Sequence, residues 1–138
     1  MIFIGPTLLS GIGQHTKKYM DLFPGSKYYI YNQEIPESDQ AFIFALPIDD
    51  IIKCIPSIKA KCKQIICMTV CETETVHEDY GKLFEHFDRI AVPSEFCKRV
   101  LSKQFPSKEF FVIHAYIPQT PYTFYHIGNI LDPRKNFK

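Results

Sequence analysis

Ala41-Phe42-Ile43-Phe44-Ala45 is apolar at five successive positions. A half-exposed strand alternates apolar and polar residues, and an amphipathic helix spaces its apolar residues three and four apart. An unbroken short run is what a strand covered on both faces requires. Further short runs flank it on both sides: Ile2-Phe3-Ile4 and Tyr28-Tyr29-Ile30-Tyr31 before, then Ile65-Ile66-Cys67-Met68-Thr69-Val70, Ile90-Ala91-Val92 and Phe110-Phe111-Val112-Ile113 after. Most are separated by helix-sized gaps. The pattern predicts a compact, soluble α/β domain of the Rossmann-like type, with a mostly parallel sheet of about six strands between helix layers, running from about residue 2 to about residue 113.

The gaps carry helical signatures. Ile12, Thr16, Tyr19, Met20 and Phe23 fall on one face, and Pro24-Gly25 stops that helix. Thr75 and Glu78 have capping-box spacing, and Tyr80, Leu83, Phe84 and Phe87 recur at helical intervals after them. Pro93-Ser94-Glu95 opens a further helix with Phe96, Cys97, Val100 and Leu101 as its buried stripe. Asp49-Asp50 begins a weaker stretch that Pro56 interrupts, which predicts two short helices or a kink. The gap from Asn32 to Gln40 is too short for a full crossover helix, so it holds one helical turn or a flanking strand is misread.

Length and composition bound the rest. The 138 residues fit one domain, and 46% apolar with 22% charged residues is ordinary globular composition. A net charge of +1, from sixteen basic and fifteen acidic residues, gives no field that favours nucleic acid or an anionic membrane. No apolar stretch approaches the roughly 20 residues that span a bilayer, and the start, Met1-Ile2-Phe3-Ile4-Gly5, lacks the basic region of a signal peptide. Five cysteines without paired spacing suit a reducing, cytoplasmic setting better than a disulfide framework. Domain organisation reads as a Rossmann-like unit over residues 1–117, then a linker and a C-terminal strand and tail over 118–138, with Tyr122-Thr123-Phe124-Tyr125-His126-Ile127 as the strand.

Two loops hold the candidate chemistry. Gly11-Ile12-Gly13 lies between the first strand and the first helix, where open α/β sheets bind ligands and helix amides attract phosphate or carboxylate. No third glycine completes a dinucleotide fingerprint, and Gln14-His15 follows instead. A tight turn that binds nothing is the equally weighted alternative. His15 reads first as an exposed helix residue beside this loop. Cys71-Glu72-Thr73-Glu74 follows the fourth strand, and its carboxylates could accept hydrogen bonds from sugar hydroxyls. Cys71 with His77 has the residue types of a nucleophile and base, but no orienting third group is visible. The ligand-binding candidates are therefore Gly11, Ile12, Gly13, His15, Cys71, Glu72 and Glu74, between two loops at the carboxyl edge of the sheet. A first and fourth strand lying side by side would make the switch point between them. Cys54, Cys62, Cys67 and Cys97 fall on apolar stripes or in a strand and read as core; none has zinc-ligand spacing with a histidine, so neither metal nor cofactor is expected.

Read together, four segments resemble the N-terminal, acceptor-side domain of GT-B glycosyltransferases, in particular the retaining group called family 4. Gly11-Ile12-Gly13-Gln14-His15-Thr16 looks like that family's first glycine loop, and Thr69-Val70-Cys71-Glu72-Thr73-Glu74 takes the place of its loop after the fourth strand. Asp88-Arg89-Ile90-Ala91-Val92-Pro93-Ser94-Glu95-Phe96 is similar to its Asp-x-Ile-x-Val-Pro-Ser-x-Phe segment, the most specific of the four. Phe124-Tyr125-His126-Ile127-Gly128 with Arg134-Lys135-Asn136 resembles the start of its second domain.

The departures shape the functional expectation. Family enzymes bind a nucleotide sugar in a second domain, and this chain stops at Lys138, where that domain would begin. A histidine often found after the fourth strand is replaced by Cys71 or Glu72. The resemblance thus implies a stand-alone, non-catalytic domain used for binding or assembly, with a protein or glycan partner. The alternative is a glycosyltransferase subunit completed in trans by a separate nucleotide-sugar-binding chain. A small hydrolase or thiol enzyme built on Cys71, His77 and Glu72 ranks third. An orphan strand at Tyr122–Ile127 predicts a homodimer through that segment, because unpaired backbone and aromatic side chains favour association; folding back onto its own sheet edge as an antiparallel strand is the alternative.

Overall fold

The computed structural model describes residues 1–114. Six strands, β1 (Ile2–Gly5), β2 (Lys27–Ile30), β3 (Ser38–Phe44), β4 (Cys62–Met68), β5 (Arg89–Val92) and β6 (Glu109–Val112), form one sheet in the order β2-β1-β3-β4-β5-β6. Every pairing is parallel. Four helices connect them: α1 (Gly11–Met20), α2 (Asp49–Lys61), α3 (Asp79–Phe84) and α4 (Glu95–Gln104). The fold is α/β and Rossmann-like, as the continuous apolar runs predict. The expected strand at Tyr122–Ile127, the linker before it and the boundary at residue 117 lie outside the described residues.

The two faces of the sheet are covered unequally. Ile51, Ile55 and Ile58 of α2, Tyr80, Leu83 and Phe84 of α3, and Cys97, Val100 and Leu101 of α4 all join one cluster with Ile4, Ile43, Cys67, Ile90 and Val92. On the other face, α1 supplies Tyr19, with Ile12 and Met20 at the margin, against Phe3, Phe42, Phe44, Met68 and Ala91. Right-handed crossovers explain this division: a connection running leftward from β1 to β2 and connections running rightward from β3, β4 and β5 fall on opposite faces. Phe23, expected on the α1 stripe, lies past the helix end and is half exposed, although its ring stays 5.8 Å from that of Phe3.

The short gap resolves in neither expected way. Both flanking strands are real, they sit on opposite sides of β1, and Tyr31–Glu37 between them contains only a turn and extended chain. Ile30 is level with Gly5, whereas Ser38 lies three residues below the level of Ile2. That displacement plus two strand spacings is roughly 22 Å, and eight extended residues reach about 26–29 Å. Helix rises only about 1.5 Å per residue, so there is no slack for a helical turn. Ile35, buried at 6% exposure in the three-helix face, does the covering that a crossover helix would do.

Pro56 neither splits nor ends α2, which is continuous from Asp49 to Lys61. It sits on the exposed side, while Ile51, Ile55 and Ile58 anchor the opposite side in the core. Each buried isoleucine contributes about 1.5–3 kcal/mol, enough to offset the lost helical hydrogen bond. The expected capping box at Thr75 is absent: α3 starts four residues later, with no side-chain cap. The loop is held instead by α4, through Val76 N–H donating to Gln104 Oε1 at 3.1 Å and Arg99 pairing with Glu74 at 3.2 Å. Strands β3 and β4 also begin earlier than their apolar runs. Their first residues form a polar ladder beyond the helices, in which Lys63 pairs with Asp39 at 2.6 Å.

Candidate functional site

In an all-parallel sheet every strand ends on the same side, so the loops after β1, β3 and β4 share the carboxyl edge. The direction of winding reverses between β1 and β3, which makes that boundary the switch point. The expectation that β1 and β4 lie side by side is therefore corrected. β3 stands between them, because the extended link lets β3 occupy the slot next to β1. The loop beginning Ala45-Leu46-Pro47 thus separates the two predicted loops and is itself part of the edge. Three consecutive apolar residues gave no chemical signal that would have singled it out.

The loop after β1 is built to satisfy itself. Ser10, in extended conformation, caps α1: its Oγ accepts from Gly13 N–H at 2.9 Å and donates to the Thr7 carbonyl at 2.8 Å. Gln14 Nε2 donates to the Leu8 carbonyl, and Ser10 N–H to the Thr7 carbonyl at 3.0 Å. The glycines have different reasons. A Cβ on Gly13 would lie 2.2 Å from the Thr7 carbonyl oxygen, so this residue lets the helix pack on its own approach loop. A Cβ on Gly11 would meet nothing. The Gly11 and Ile12 N–H groups have no intrahelical partner, as in the first turn of any helix. Ser10, immediately before the helix, is the functional cap that reading the glycines alone missed; a serine in that place is the signal.

His15 is half-buried rather than exposed. Its ring stacks on Tyr19, with centroids 5.1 Å apart, and tilts against Phe44 at 5.8 Å. Burial, helped by the charge of Lys18, lowers its pKa below the ordinary histidine value, so the neutral imidazole is favoured. Its Nε2 is buried without a hydrogen-bond partner, as is the Thr69 hydroxyl at the end of β4. Tyr19 and Phe44, which hold this ring, carry the apolar part of the site.

The loop after β4 does not assemble a nucleophile with its base. Cys71 is buried, and the Cys97 thiol donates to the Cys71 carbonyl at 3.3 Å. Burial first, then Cys97, pushes the Cys71 thiol up to about 12. His77 is exposed, with its Nδ1 3.0 Å from the Asp79 carboxylate and accepting from the Asp79 N–H at 3.3 Å. Glu72 and Glu74 are exposed, and Glu74 is tied to Arg99. Tyr80 donates its hydroxyl to the Val70 carbonyl at 2.5 Å, bracing the loop from α3.

At the opposite, amino edge, an open cavity of about 600 Å³ is lined by Glu37, Asp39, Lys59, Lys61 and Lys63, among others. Its lysines are engaged: Lys59 donates to the His86 carbonyl at 2.8 Å, Lys61 to that of Ile35 at 3.0 Å, and Lys63 pairs with Asp39. Lys59 and Lys61 also complement the negative end of α2. Among the described residues no three histidine, cysteine or acidic side chains group as a metal site. No helix among them is long and apolar enough to cross a membrane.

Compared with models of known protein families, with curated proteins and with solved structures, the chain has no match. Fold and site define a Rossmann-like α/β protein whose carboxyl edge carries a self-capped glycine loop, a neutral stacked histidine and a buried thiol pair.

Proposed function

We propose that this chain is a non-catalytic binding or assembly domain on the scaffold of a GT-B acceptor-side half. The observation that carries the reading is how the polar groups of the carboxyl edge are engaged. Ser10 is spent on the helix cap, Glu74 on Arg99 and His77 on Asp79, and the Cys71 thiol is buried. Acid–base or nucleophilic catalysis needs such groups aimed at one another or at a substrate. What stays open is suited to holding: Leu9 is 95% exposed beside the unobstructed Gly11, and Glu72 is exposed on the loop after β4. A neutral hydroxyl-bearing ligand, a glycan above all, fits that chemistry and the resemblance of the Gly11–Thr16 and Asp88–Phe96 segments.

Amide NMR of the full chain titrated with oligosaccharides tests the proposal. Shifts at Gly11, Ile12 and His15 are expected, and sugar transfer or nucleotide-sugar hydrolysis by the chain alone would overturn it. Assembly as a homodimer through Tyr122–Ile127 belongs to the same reading. Light scattering of the full chain, beside a chain truncated after Pro118, tests that part; a monomeric full chain would sink it. Five free cysteines accord with a cytoplasmic setting.

A further inference from the structure

We propose that Cys71 and Cys97 are a slow redox latch, a reversible disulfide that ties the loop after β4 to the first turn of α4 when the protein meets peroxide. This goes beyond the binding role and does not depend on it. Cys97 Sγ lies 3.3 Å from the Cys71 carbonyl oxygen, and both cysteines are buried in the same core cluster. A disulfide then asks the Cys71 side chain to turn toward a sulfur already packed against its own backbone. One partner is fixed and the other can give. Cys97 is held in the capped first turn, its N–H bonded to Ser94 Oγ at 3.2 Å, whereas Cys71 sits in irregular chain between β4 and α3. That chain already leans on α4 through Glu74 with Arg99 and Val76 with Gln104, so a disulfide would reinforce an existing contact.

The remaining cysteines have other surroundings. Cys54 Sγ donates to the Asp50 carbonyl at 3.1 Å within its own helix, Cys67 is enclosed in β4, and Cys62 opens that strand at the amino edge.

The chemistry balances with hydrogen peroxide as oxidant. One cysteine loses its proton and its sulfur attacks a peroxide oxygen. The O–O bond breaks, hydroxide leaves, and a sulfenic acid forms. The second thiol attacks that sulfur, the S–S bond forms, and water leaves. Two thiols are oxidised and one peroxide becomes two waters, the hydroxide taking up the released proton. A dithiol reverses the reaction by exchange. Burial holds the Cys71 thiol protonated, so its oxidation is slow and the device is a latch rather than a fast sensor.

The test treats the full chain with hydrogen peroxide, alkylates the remaining thiols, and maps peptides without reduction. Expected are three alkylated cysteines of the five, a mass loss of two hydrogens, and one peptide linking Cys71 to Cys97, reversed by dithiothreitol. The rate should rise about tenfold per pH unit on the alkaline side of neutrality, because the thiolate is the nucleophile. Cys71→Ser and Cys97→Ser should each abolish the link. Five alkylatable thiols after oxidation, a link to another cysteine, or sulfinic acid without a link would overturn the proposal. Should a serine variant fail to fold, the wild-type map decides alone.

Discussion

The Thr7 carbonyl oxygen occupies the place where residue 13 would carry a Cβ, 2.2 Å from that position. The glycine at 13 is thus a contact between a helix and the loop that enters it. Gly11, two residues earlier, has open space and ordinary helical neighbours. The two glycines should therefore respond in opposite directions to the same change. Gly13→Ala should destabilise by about 1–3 kcal/mol, since backbone must move to admit the methyl. Gly11→Ala should stabilise by about 0.4–1 kcal/mol through the unfolded chain's entropy. Urea denaturation of both variants checks the pair, and equal effects would contradict it.

His15 makes stability depend on pH. Its folded pKa is depressed, so the unfolded chain binds the proton more readily. The stabilisation is complete above the unfolded value of about 6.5 and is lost as pH falls from there to the folded value. An NMR titration should place the His15 midpoint below that of a free histidine. His15→Gln should flatten the stability profile between neutral pH and mildly acidic pH.

Ser10 and Ser94 cap α1 and α4 through bonds of 2.9 and 3.2 Å. Replacing either with alanine should cost about 0.5–2 kcal/mol. Ser10→Ala should be the more damaging, because its hydroxyl also donates to Thr7 and supports the Gly13 contact. Thermal melts of the two variants give the comparison.

Calorimetric titration of the chain with UDP- and GDP-sugars should show no site tighter than about 10 μM, near −7 kcal/mol. At the carboxyl edge Ser10, Glu74 and His77 are already bonded to the chain. A tighter constant would show that the edge rearranges on binding.

The layered sheet was legible because burial on both faces leaves its mark on each strand: Ala41–Ala45 and Ile90–Val92 admit no polar residue. Helix stripes were legible for the same reason, down to Val100 and Leu101. Strand order was not. Nothing local in Asn32–Glu37 says that an extended link passes across β1, since only the register of β2 and β3 against β1 reveals the distance to be spanned. At the site, the right loops stood out by their glycines and carboxylates, yet their partners did not. Cys71 meets Cys97 across 26 positions of sequence, and Gly13 owes its identity to a carbonyl, which no side-chain pattern records.

The slot of β1 between β2 and β3 has a consequence for the order in which the sheet can be made. A ribosome releases β1 first, yet its two flanking partners are completed only with Ile30 and then Phe44. Until then Phe3 and Ile4, fully enclosed in the finished protein, have no lasting shelter. The nascent chain must carry its own future centre uncovered, and a chaperone that binds short aliphatic and aromatic segments would find its target in Ile2–Ile4 during that interval. Slowing translation once Ile2–Ile4 has left the ribosome but Phe44 has not should lengthen the interval and raise the aggregated fraction, whereas slowing it after Phe44 has emerged should not.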